Sequence, residues 1–334
     1  MKTYGKVLLL VVVMMFTVTL FVGNVGAAAK KDGIVIGFSN ASTSNSWRVF
    51  MVANFKAEVA LHPEVAKYYY TDANDKPEKQ IADVDDLLIK GIDALVISPA
   101  VQDAVNPAIE KAFDSGIPVI VFDRKATTDK YTTFIETSNY TMGKGQAEWL
   151  AKELNYNGNI VLFSGFAGSG PAEDRLKGAM EVFKKYPDIK ILGQQYADWS
   201  PVKSKAIMEA FVQQFPKIDG IWADSGMMSQ PALEVLKEAG KPLVPSTSDQ
   251  YNGYAKFIVK NNVRGFIYPF PAWQSRDALR YAIKAVQGEK LEKYIEIPVE
   301  PIGPEKMKDY VQMDKSDFWW VGDDRMPKEF LPEL

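Results

Sequence analysis

Cysteine is absent from the 334 residues, and histidine occurs once, at His62. The first absence excludes disulfides, thiolate zinc sites and cysteine nucleophiles. The second leaves no Ser-His-Asp triad, because His62 sits in Leu61-His62-Pro63, where a surface histidine near a helix C-terminus accounts for it. Any metal would have to be bound by carboxylates, and neither a metal nor a cofactor is called for. Basic runs are also missing and the formal net charge is −3, so nothing points to nucleic acid or an anionic membrane as a partner. Long apolar runs are missing too, with one exception at Val7–Val22.

That run follows Lys2 and Lys6 and precedes Gly26-Ala27-Ala28-Ala29. A basic n-region, an apolar stretch and a small-residue exit make a secretory signal, with a cut expected near Ala29. The run is shorter than the ~20 residues of a membrane span. No cysteine follows it to carry a lipid. The expectation is a cleaved signal peptide over residues 1–29 and a mature protein of the periplasm or extracellular space. Losing Lys2 and Lys6 makes the chain two charges more acidic. What remains is long enough for one large domain or two smaller ones.

From Gly33 onward, short apolar runs alternate with segments of helical period. Strands are predicted at Ile34–Phe38, Lys67–Thr71, Ala94–Ser98 and Val119–Phe122, with helices over Trp47–Leu61, Pro77–Lys90 and Val105–Ser115 between them. Thr133–Thr137 carries the chain into a second round. That round runs through helix Met142–Leu154, strand Asn159–Phe163, helix Pro171–Lys185, strand Ile189–Tyr196 and helix Val202–Phe215. It continues with strand Gly220–Ala223, helix Pro231–Ala239, strand Leu243–Thr247, segment Gly253–Asn261 and strand Gly265–Tyr268. Helix Gln274–Gln287, a strand near Ile295–Val299 and an aromatic tail from Lys315 complete the chain. Such alternation means βαβ units with parallel sheets, and two rounds mean two α/β lobes with a cleft between them.

The polar residues gather just after the strands, where open α/β sheets bind ligands. Asp123-Arg124 ends the run Val119–Phe122 and supplies an acceptor beside a rigid fork of donors, suited to a ligand rich in hydroxyls. A solvated loop pair would read the same. Ser44, Asn45 and Ser46 are caps for the helix that Trp47 and Arg48 open, and Trp47 there reads as a pocket wall. Gly165–Asp174 contains three glycines but neither a dinucleotide nor a phosphate-loop spacing, so tight turning or close backbone approach explains them. Trp199 ends another strand, and Ala223–Gly226 and Ser246–Asp249 follow two more, each also readable as a helix cap. The acids could support glycoside hydrolysis, although no spacing selects a pair.

These stretches resemble the periplasmic solute-binding proteins of sugar ABC transporters, in their ribose-binding and galactofuranose-binding branch. The resemblance spans roughly residues 33–300 and rests on IGFSNASTSNSWR, TDANDKPEKQIADVDDLLIKGIDALVISP, PVIVFDRK and the Arg175-x-x-Gly178 pattern. It implies two Rossmann-like parallel-sheet lobes joined by a three-crossover hinge. Residues 30–137 with 270–298 would form the N-terminal lobe, and 138–269 with 299–334 the C-terminal lobe. By resemblance, Asn45 and Trp47 fall on the family's Asn and stacking aromatic, and Arg48 on the Trp-Arg pair of the galactofuranose-binding branch. Asp123 and Arg124 fall on the Asp-Arg that grips ring hydroxyls, Trp199 on the second aromatic, and Asp249 on the acid of an Asp-Gly turn. Glu173 stands where ribose-binding members have Arg, and Ser225 where Asn is usual. Gln250 replaces a Gly, and Gln274 follows a missing Gln near Pro269. Ribose is therefore disfavoured against a differently decorated sugar. The tail with Phe318, Trp319 and Trp320 is expected to pack over a lobe rather than touch ligand. The related lactose-repressor family carries a DNA-binding module where this chain has its signal.

The expected function is a non-enzymatic, monomeric receptor that captures a monosaccharide and delivers it to a membrane permease of an ABC transporter. The alternatives are a secreted carbohydrate-active enzyme using clustered carboxylates, or a receptor for a nucleoside or furanone-type signal.

Overall fold

The computed structural model describes residues 33–333, so the signal-peptide expectation lies outside the described residues. The first round of the chain builds β1 (Ile34–Asn40), α1 (Ser46–Val59), β2 (Val65–Asp72), α2 (Pro77–Ile89), β3 (Ala94–Ile97), α3 (Asn106–Asp114), β4 (Val119–Phe122) and β5 (Thr133–Glu136). The second builds α4 (Asn139–Glu153), β6 (Gly158–Ser164), α5 (Gly170–Phe183), β7 (Ile189–Tyr196), α6 (Pro201–Gln214), β8 (Gly220–Ala223), α7 (Gly226–Glu238), β9 (Ser246–Ser248), α8 (Asn252–Asn261) and β10 (Gly265–Ile267). The chain ends with α9 (Gln274–Val286), β11 (Tyr294–Glu296), α10 (Met307–Tyr310) and the tail.

Two wholly parallel sheets result. One has the order β11-β5-β4-β3-β1-β2 and the other β10-β9-β8-β6-β7. Strands β3, β4 and β8 are buried at every position, as parallel strands covered on both faces are. The chain passes from the first sheet to the second after β5, returns after β10 for α9 and β11, and crosses again before Ile302, which bridges Ile267.

Thr133–Glu136 completes the first sheet beside β4, and the chain passes from it into the second round. Two expectations shift. Helix α7 starts at Gly226 instead of Pro231, because Ser225 caps it by accepting from Met227 N, and Pro231 is carried inside the helix. Strand β9 begins after Pro245, which has no N–H to give the ladder. Helices α4 and α5 cross in near backbone contact. An added Cβ at Gly143 would overlap the Arg175 carbonyl, and one at Gly178 the Tyr140 carbonyl. The Gly of Arg175-x-x-Gly178 thus sets helix packing, and that packing holds Arg175 beside Asn139, which accepts from its Nε at 2.8 Å.

Candidate functional site

Loops at the carboxyl ends of both sheets line a cleft with about 420 Å³ of space, the solvent at its mouth included. Eight of the ten residues singled out from the sequence line it: Asn45, Trp47, Arg48, Asp123 and Arg124 from one lobe, and Trp199, Ser225 and Asp249 from the other. Pro171, Arg175, Met227, Phe270 and Trp320 complete the wall.

On the first lobe, Asn45 caps α1 by accepting from Arg48 N, which orients the Trp47-Arg48 pair. Arg48 is anchored from both sides. Its Nη1 donates to Asn40 Oδ1 and Ser98 Oγ, both at 3.0 Å, and its Nη2 donates to Asp123 Oδ2 at 2.7 Å. Asp123 therefore pairs with Arg48, not with its neighbour Arg124. Its Oδ2 also accepts from Ser98 at 2.8 Å, while no protein hydrogen bond engages Oδ1 among the described residues. Asp123 takes a φ of 62°. Such a left-handed conformation is uncommon outside glycine and marks a constrained turn at the strand end. Arg124 donates Nη1 to Ala100 O at 2.9 Å, and its buried Nε has no partner. Burial, reinforced by the like charge of Arg48, pushes its pKa down to about 10.

On the second lobe, Asp224 is fully buried and binds Gly165 N and Trp199 Nε1, at 2.9 and 2.8 Å. Burial raises its pKa, opposed by Arg175, whose Nη1 lies 3.8 Å away. Trp199 and its neighbour Asp198 both have positive φ, at 52° and 54°. The Trp199 indole lies directly over Gly165, where any side chain would overlap it. The glycine loop thus makes room for an aromatic ring and does not cradle a phosphate. Asp249 Oδ1 accepts from Gly226 N at 2.9 Å. Burial raises the Asp249 pKa to about 6, against the pull of that N–H and of Arg175. Arg175 also lies over the Phe270 ring at 4.3 Å.

The three indoles share one property. Trp47 Nε1 donates to Phe270 O, Trp199 Nε1 to Asp224 and Trp320 Nε1 to Ser46 Oγ, at 2.7 to 2.8 Å. With every N–H committed to protein, the rings offer the cavity only apolar faces.

Glu173 and Gln274 do not line the cavity. Glu173 turns back to accept from Gly168 N and Tyr196 OH, both at 3.0 Å. Gln274 donates to Pro271 O and leaves its buried Oε1 without a partner. His62 lies beyond α1, half-buried, 3.0 Å from Glu58 and 2.9 Å from Glu64. Arg175, Phe270 and Trp320 escaped the sequence-based choice of site residues. Only Arg175 had a signal, as the charged residue of Arg175-x-x-Gly178. The tail was expected to stay off the ligand site, yet Trp320 is in its wall, because the tail folds back between the lobes. No group of three or more metal-ligating side chains occurs among the described residues.

Comparisons with known proteins agree with this geometry. Residues 36–290 match the family model described as a periplasmic binding protein domain. The chain is 33% identical over 214 residues to the galactofuranose-binding protein of Escherichia coli K12, covering 62% of this chain and 67% of that one. It is 25% identical over 272 residues to the ribose import binding protein of Bacillus subtilis 168, covering 81% and 88%. Among solved structures, a Mycobacterium smegmatis protein in complex with β-D-fucofuranose superposes with a TM-score of 0.77 at 26% identity, covering 83% and 93%.

Proposed function

Because the chain belongs to the periplasmic binding protein domain family, we propose that it captures a neutral monosaccharide between its lobes and delivers it to an ABC-type permease. The family is one of substrate-binding proteins rather than enzymes. One observation carries the reading. Asp123, Arg124 and Asp249 line a cavity walled by three indoles with spent N–H groups, and Asp123 Oδ1 and Arg124 Nε have no protein partner among the described residues. Faces of this kind stack on the C–H patches of a sugar ring, while fixed acceptors and guanidinium donors take its hydroxyls. Arg48 pairs with Asp123, Arg175 lies beside Asp224 and Asp249, and Arg124 lies 3.7 Å from Asp75, so no guanidinium is left over for an anion and an uncharged ligand fits better than a sugar acid or phosphate.

Family membership implies export to the periplasm, and residues 1–29 are read as the cleavable signal that achieves it. The protein acts as a monomer, and its lobes close about the three crossings near Thr137–Asn139, Pro269–Pro271 and Val299–Pro301. The carboxylates suit gripping better than hydrolysis, since each already binds a guanidinium, an indole or a backbone N–H of the protein.

Isothermal titration with neutral furanoses, pyranoses and polyols, beside sugar acids, sugar phosphates and nucleosides, tests the reading. One neutral saccharide should bind at a 1:1 ratio, with no product formed from its glycosides. Turnover of a glycoside, or binding confined to charged ligands or nucleosides, would overturn it.

A further inference from the structure

The tail beyond β11 belongs to both lobes at once. Its backbone is fastened to the second lobe at the loop between β9 and α8 and at the first turn of α8. Asn252 N donates to Trp319 O at 3.0 Å, Gly253 N to Asp317 O at 2.9 Å and Val321 N to Gln250 O at 3.2 Å, with an antiparallel bridge between Tyr251 and Trp320. Its side chains and one carbonyl reach the first lobe instead. Trp320 Nε1 donates to Ser46 Oγ at 2.8 Å, Trp319 packs edge-on against Phe50 at 5.0 Å, and Asn54 Nδ2 donates to Asp323 O at 3.1 Å. Ser46, Phe50 and Asn54 are four residues apart and form one stripe along α1, the helix that delivers Trp47 and Arg48 to the cavity.

The Asp323 carboxylate anchors the same segment to the crossing between β10 and α9. It accepts from Trp273 N at 3.2 Å and from Gln250 Nε2 at 2.8 Å. Trp320, 2% exposed, sits at the centre of these contacts with its ring in the cavity wall.

We propose that Trp320 is a specificity-determining residue of the ligand site, held in the wall by a C-terminal strap that ties α1 of the first lobe to the β9–α8 loop of the second. The inference rests on the sugar-binding reading. With its N–H bound to Ser46, the indole can only fill space and stack. It therefore excludes ring substituents that would occupy its volume and supports the apolar face of a ligand that fits. Because strap and ligand touch the same two lobes, the Trp320–Ser46 bond that fixes the ring holds only while the lobes are together, which links ligand shape to closure.

The test is titration of wild type, Trp320→Ala, Trp320→Phe and Ser46→Ala with the preferred monosaccharide and with homologues carrying one further carbon or an O-methyl group. One methylene in a well-packed pocket discriminates by roughly 10- to 200-fold. Trp320→Ala should weaken the preferred sugar and shift the preference towards the bulkier homologues by about tenfold or more. Trp320→Phe and Ser46→Ala should give smaller shifts in the same direction, because the ring then sits more loosely. A preference ratio does not depend on the folded fraction, so a destabilised variant remains informative. A lower affinity with an unchanged ratio in all three variants would make Trp320 a merely structural residue and overturn the proposal. Wild type that binds no sugar in the panel would instead overturn the functional reading, and this proposal with it.

Discussion

Arg124→Ala and Asp123→Ala should separate affinity from stability, although the two residues are adjacent. Arg124 holds one carbonyl at 2.9 Å, lies 3.7 Å from the half-exposed Asp75, and leaves its buried Nε unpartnered. Burial already weighs against its charge, so removing it should leave unliganded stability within about 1 kcal/mol of wild type. A sugar hydroxyl that completes its hydrogen bonding would lose a charged partner. The expected cost is ~2–5 kcal/mol of binding, which at ~1.4 kcal/mol per decade is roughly 30-fold to several thousand-fold in Kd.

Asp123→Ala loses a ligand acceptor as well, but it also strands the Arg48 guanidinium, whose side chain is 4% exposed. Breaking a buried pair costs ~3–5 kcal/mol of stability. Alanine in the left-handed region adds about 1 kcal/mol. Urea denaturation of the unliganded proteins and calorimetric titration with the identified sugar give the two quantities. Wild-type affinity in Arg124→Ala would refute the assignment of its free Nε to ligand. Equal stabilities for the two variants would refute the Asp123–Arg48 pair as a structural element.

Gly165→Ala should displace the Trp199 indole, break its bond to Asp224 and cost ~1–3 kcal/mol of binding, read by titration and by the ligand response of tryptophan fluorescence. Saturating ligand should reduce the radius of gyration in small-angle scattering at constant mass, and superimposable profiles would argue against lobe closure. Stability should be greater at pH 5.5 than at pH 8, because burial raises the carboxyl pKa of Asp249 to about 6 and those of Asp323 and Glu136 to about 7. Folding then takes up protons, so this contribution is full below about 4, where the unfolded carboxyls are also protonated, and is lost as pH rises through 6 and 7. Asp323→Asn should flatten that dependence of the thermal midpoint, and an unchanged slope would show that Asp323 does not titrate in this range.

Much of this architecture was legible in the chain because its signals are local. The run Val119–Phe122 is a strand by composition alone, and whatever follows such a strand falls at the carboxyl edge of the sheet. Asp123, Arg124, Trp199, Ser225 and Asp249 could therefore be gathered to one place before any coordinates. The cap of α1 was narrowed to Ser44, Asn45 or Ser46 in the same way, and the fold selects Asn45. Position along the chain could not say which partner each side chain takes. Asp123 and Arg124 are neighbours in sequence, yet the left-handed turn at Asp123 leaves its carboxylate with Arg48 from another strand–helix loop. Glu173 and Arg175 are two residues apart on α5 and so point to different sides. Only the close crossing of α4 and α5 decided that Arg175 faces the cavity while Glu173 turns back to its own loop. The tail had an aromatic composition and no periodicity, so its destination depended on tertiary packing. Its contacts with α1 span more than 260 residues of chain, a separation no local pattern encodes.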